Sequence, residues 1–80
     1  MLYKVIEVQG YCGFRINERP ISFTFKNRKR EVKEVLQRWY EGSRKAGGPI
    51  YSYFKILTRD GEIFILRYNA RFKTWAIKLT

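Results

Sequence analysis

The chain has 80 residues, no histidine and one cysteine, Cys12. Without imidazole, a Ser-His-Asp or Cys-His catalytic group and most zinc sites are excluded. One thiol forms neither an internal disulfide framework nor a multi-cysteine metal site. Within Gly10-Tyr11-Cys12-Gly13 there is also no second group to activate or resolve it, so Cys12 is read as structural. Acids are scarce, with seven Asp and Glu against 17 Lys and Arg. The nearest acidic pairs, Glu31 with Glu34 and Asp60 with Glu62, sit among cations or beside a turn. They read as solvated charge and not as carboxylates held across a cleft. No catalysis, cofactor, metal or small-molecule substrate is therefore expected. Long apolar runs are missing, and so is a charged-then-apolar leader. The expectation is an intracellular, cytoplasmic protein with no membrane segment.

What is present is aromatic and basic. Two Trp, six Tyr and six Phe serve a single domain spanning residues 1–80. Each ring can bury on the order of 150–250 Å², which a chain this short needs to build a core. The net charge of +10 and a pI near 10.1 raise the prior for an anionic partner, nucleic acid first.

Residues 50–80 read as three antiparallel strands. Asp60-Gly61 between two apolar runs is a hairpin signal, because Gly accepts the positive φ of the turn. A three-residue loop, Arg59 to Gly61, sets Ile56 opposite Phe64 and Phe54 opposite Leu66. A four-residue turn at Asn69–Phe72 then sets Leu66 against Trp75 and Phe64 against Ile77. This register gathers Phe54, Ile56, Phe64, Leu66, Trp75 and Ile77 on one face. The opposite face carries Tyr53, Lys55, Leu57, Ile65, Arg67, Thr74 and Lys78.

Upstream, residues 2–8 are β-branched and aromatic and read as a strand whose facing stays open. Gly10 to Pro20 reads as a loop or irregular strand. Ile21, Phe23 and Phe25 alternate onto one side. Lys26–Lys29 reads as a turn, pairing Phe25 with Arg30 and Phe23 with Val32 and letting the Arg30 guanidinium lie over the Phe25 ring. Residues 31–41 are ambiguous. Val32, Val35, Leu36, Trp39 and Tyr40 fit helical spacing, whereas a strand needs a bulge near Glu34 to keep Val32, Val35 and Trp39 together. Residues 41–49, with three glycines, a proline and Arg44-Lys45, read as a flexible basic loop without the spacing of a nucleotide-binding P-loop.

Phe23, Phe25, Asn27-Arg28, Val32, Val35-Leu36, Trp39, Tyr53-Phe54-Lys55-Ile56, Gly61, Phe64, Leu66 and Trp75 form a pattern of their own. In it the chain resembles a small bacterial family of unknown function, free-standing or alongside Y-family translesion DNA polymerases. The resemblance covers roughly residues 21–79 and consists mostly of core positions. It implies a hairpin-like start and hence a strand at Arg30–Trp39, and a role in DNA maintenance with a protein partner there. Arg30 departs from an aromatic in that pattern, and Arg44-Lys45 replaces a Trp-rich loop.

The expected fold is mostly β: a small antiparallel barrel or strongly bent sheet of the SH3-like kind, with a helix at 31–41 the alternative. The expected function is a small basic nucleic-acid-binding module, DNA favoured over RNA. Its candidate contacts are Lys26, Arg28, Lys29, Arg30 and Lys33 at the turn, Arg44 and Lys45 in the loop, and Tyr53, Lys55 and Arg67 on the sheet. Clustered cations release counterions on meeting phosphates, and a ring between them stacks a base. The competing reading makes the turn a solubilising edge and the domain a protein-interaction module.

Overall fold

The computed structural model describes residues 2–10, 19–42 and 50–79, and all the regular structure in them is β. The strands are β1 (Tyr3–Gln9), β2 (Ser22–Phe25), β3 (Arg28–Gly42), β4 (Ile50–Thr58), β5 (Ile63–Asn69) and β6 (Thr74–Lys78). They pair antiparallel in chain order, and β1 closes against β6 to make a barrel. The expected small barrel is therefore found, and residues 31–41 belong to β3 and not to a helix. Among the described residues no helix is long and apolar enough to cross a membrane. The loop expected at 41–49, with Arg44 and Lys45, lies outside the described residues from 43 onward, as does the Cys12 segment from 11 to 18.

β3 explains its own helix-like spacing. It pairs with β2 through Glu31, then with β4 from Val32 to Gly42, and its register shifts twice, between Val32 and Glu34 and between Val35 and Gln37. Each bulge inserts one unpaired residue, so a face recurs after three residues where two is the rule. Val32 opposite Thr58 and Val35 opposite Ile56 both turn inward this way. One bulge was expected and two are present. The second sends Trp39 to the outer face, opposite Tyr53, away from Val32 and Val35.

Phe23, Val32, Phe54, Ile56, Leu66, Trp75 and Ile77 form the buried core, with Ile6, Val8, Phe25, Val35, Phe64, Tyr68 and Leu79 packed against it. Burying each large apolar side chain stabilises by roughly 1.5–3 kcal/mol. Gly61, at φ 89°, closes the Arg59–Gly61 loop, and the expected pairs Ile56–Phe64 and Phe54–Leu66 form. The other two hairpins differ from expectation by two residues. Lys26 and Asn27 both take positive φ, 54° and 60°, so a tight two-residue turn pairs Phe25 with Arg28 and Phe23 with Arg30. In the last hairpin, Asn69 Oδ1 accepts the N–H groups of Arg71 and Phe72, moving the four-residue loop one position along to Ala70–Lys73. Leu66 therefore faces Ile77, and Trp75 faces Tyr68 while still touching Phe54 at 5.4 Å between ring centroids. A slip of two keeps every side chain on its expected face, so the predicted core survives it.

Candidate nucleic-acid interface

The basic turn is not a free cluster of cations. The β4–β5 turn lies beside it, because the β3–β4 ladder begins at Val32–Thr58 and Arg59 donates its N–H to the Glu31 carbonyl. Arg30 donates to Glu62 at 2.6 Å and to Asp60 at 3.2 Å, and its side chain is only 14% exposed. Its guanidinium covers the Phe64 ring at 5.2 Å, where the sequence pointed to Phe25. Lys26 sits over Phe25 instead, at 5.3 Å. Arg28 pairs with Asp60 at 3.6 Å, and Arg59 with Glu31 at 3.6 Å. Thr58 donates its hydroxyl to Asp60, and that bond, with Arg30 and Arg28 nearby, holds the Asp60 carboxyl below its ordinary range. Of the turn residues named from sequence, Lys26, Lys29 and Lys33 are exposed and form no ion pair among the described residues, whereas Arg30 is built into the fold.

The outer face of β3, β4 and β5 carries a more ordered surface. Trp39 stacks on Tyr53 with ring centroids 5.2 Å apart and planes 5° from parallel. Tyr51 leans against Tyr53 at 6.2 Å, and the Tyr53 hydroxyl donates to Glu41 at 3.2 Å. Arg67 lies between two rings, 3.9 Å from the Tyr3 centroid and 4.4 Å from that of Tyr51. Burial pushes the Tyr53 phenol above its ordinary value, a hydrogen bond with Arg67 pulling the other way. Tyr53 is thus on the expected face but covered. The ring that offers itself to solvent is Trp39, 37% exposed, which the sequence placed with the core. Lys55 pairs with Gln37 on one side and Ile65 on the other, next to this stack.

A second feature lies where the β5–β6 ladder stops. That ladder runs only from Leu66–Ile77 to Asn69–Thr74. Beyond it, β5 continues along β4 to Leu57–Ile63, while Leu79 donates its N–H to Leu2 and keeps β6 on β1. The parted strands leave an open cavity of about 720 Å³, lined by Lys4, Phe25, Lys26, Lys55, Ile63, Phe64, Ile65, Lys78 and Leu79. Sequence reasoning missed this mouth and the part of Lys4 in it, since no local pattern marks where a ladder ends.

The structure therefore brings Tyr53, Lys55 and Arg67 together on one face, sets Lys26, Arg28, Lys29, Arg30 and Lys33 along one hairpin, and gives no position for Arg44 and Lys45. Among the described residues, no group of three His, Cys, Asp or Glu is placed to hold a metal ion. Compared with family models, with characterised proteins and with solved structures, the chain matches none.

Proposed function

We propose that this barrel is a small nucleic-acid-binding module that takes single strands along the outer face of β3, β4 and β5. One observation supports the reading most directly: the Trp39–Tyr53 stack presents the Trp39 ring to solvent and neighbours Lys55 in a domain of net charge +10. A base can add to the exposed Trp39 ring while Lys55 and Lys78 neutralise backbone phosphates. Arg67 clamps Tyr3 and Tyr51 and so fixes the platform, a positioning role in place of the phosphate contact expected from sequence. DNA is favoured over RNA, and a place in DNA maintenance follows from the family resemblance.

The test is a titration against labelled single- and double-stranded oligonucleotides at two salt concentrations. Neutralising about two phosphates on a single strand gives a slope of log affinity against log salt of roughly −1.4. Lys55→Ser with Lys78→Ser should flatten it by about one unit. No binding at low salt would leave the protein-interaction module as the better reading. Binding that is lost only in the Lys26→Ser, Lys29→Ser, Lys33→Ser variant would return the site to the turn.

A further inference from the structure

The mouth between β5 and β6 combines two properties, of which the nucleic-acid reading uses only Lys55 and Lys78. Its lining holds five apolar side chains, Phe25, Ile63, Phe64, Ile65 and Leu79, with Phe25 and Phe64 edge to face at 6.0 Å. Its only other lining residues are Lys4, Lys26, Lys55 and Lys78. Among the described residues none of these four is ion-paired, whereas the carboxylates of Glu31, Asp60 and Glu62 are all engaged by Arg28, Arg30 and Arg59.

We propose that this mouth binds a small amphipathic carboxylate, a medium-chain fatty acid in chemical class, with its chain against Phe25, Phe64 and Leu79 and its head among the lysines. A cavity of about 720 Å³ is in the range of ligand sites of roughly 300–1,000 Å³. Bringing an apolar body into it removes Ile63, 55% exposed, from water. Covering the ammonium groups costs solvation, and only an anionic head returns it, so a neutral or cationic amphiphile gains the apolar contact and loses at the rim. A nucleobase fits less well. Its edge carries amino donors, and the lining side chains offer ammonium donors but no amide, hydroxyl or carboxylate to accept from them. The inference shares Lys55 and Lys78 with the nucleic-acid reading but is tested apart from it, since the carboxylate is probed in the absence of any oligonucleotide.

The experiment follows backbone amide signals of the whole chain by heteronuclear NMR during titration with sodium decanoate below its micelle concentration. Decyltrimethylammonium and acetate are run in parallel. Saturable shifts confined to Phe25, Ile63–Ile65 and Leu79 are expected with decanoate, with at least tenfold weaker binding for the cation and for acetate. Lys55→Gln with Lys78→Gln should weaken decanoate at least tenfold. Ile63→Asp, at an exposed position that tolerates a polar residue, should abolish the shifts while the rest of the spectrum stays folded. Equal affinity for the cationic amphiphile would overturn the proposal. So would shifts spread over the whole barrel, or capture by anionic phospholipid vesicles with no decanoate signal at the mouth.

Discussion

Trp39 lies flat on Tyr53, 5.2 Å between centroids, although the two residues are on different strands and 14 positions apart in sequence. The contact exists because the second bulge of β3 turns Trp39 outward at the point where Tyr53 stands opposite.

Removing the platform separates binding from folding. A stacked aromatic pair contributes about 0.5–1.5 kcal/mol beyond the area it buries, so Trp39→Ala, which also gives up the covered part of the ring, should lower stability by at least that amount and leave a folded barrel. Base stacking on a protein ring contributes about 1–3 kcal/mol, so single-strand affinity should fall about 5- to 150-fold. Urea unfolding and fluorescence anisotropy measure the two effects separately. A variant that binds as tightly as the parent would remove Trp39 from the interface.

Arg30 and Arg28 should behave differently although both lie in the basic turn. Arg30 is covered and bridges Asp60 and Glu62, so Arg30→Ser should destabilise by about 1–2 kcal/mol, a figure reduced by solvent screening at the half-exposed carboxylates. Arg28 is 66% exposed with one long ion pair, and Arg28→Ser should stay within about 0.5 kcal/mol of the parent. Unfolding midpoints in urea rank them, and equal midpoints would show that the Arg30 bridges contribute nothing net.

Asp60 gives the turn a pH dependence of defined sign. Its folded pKa is depressed, first by the Thr58 hydroxyl and then by Arg30 and Arg28. The unfolded chain therefore takes up the proton first, and the stabilisation is complete above the unfolded value of about 3.9 and is lost as pH falls through the lower folded value. Asp60→Asn keeps an oxygen to accept from Thr58 and removes the charge. Its stability should vary less than that of the parent between pH 5 and the acid limit, as unfolding curves across that range would show.

Gly10 and Gly61 both hold positive φ, 82° and 89°, in different surroundings. A Cβ on Gly61 meets nothing within 4 Å, so Gly61→Ala should cost about 1 kcal/mol from backbone conformation alone. A Cβ on Gly10 would stand 2.3 Å from Ile21 Cγ1 and 2.7 Å from its Cβ, inside van der Waals contact with a rigid β-branched chain. Gly10→Ala should therefore cost clearly more than Gly61→Ala. Ile21→Ala in the same chain should recover part of the difference, and thermal unfolding of the three variants is the measurement.

The strand pattern, the core face and the β4–β5 register were legible in the residues because each rests on local chemistry. Alternation of Phe54, Ile56, Leu66 and Ile77 sets the buried face, and the positive φ of Gly61 fixes one hairpin length. Even the two-residue slip at Trp75 left the faces intact, since the side-chain period of a strand is two. The functional surface depends on distances that no window of sequence contains. Arg30 meets acids 30 and 32 positions away only once β3 lies along β4, which turns one cation of an apparent phosphate clamp into an internal ion bridge. The helix-like spacing of Val32 and Val35 came from bulges, and a bulge is placed by the need to bend one strand around two partners as the barrel closes. The mouth between β5 and β6 arises for the same reason: β5 stays on β4 and β6 on β1, and closure leaves a gap where neither can reach the other.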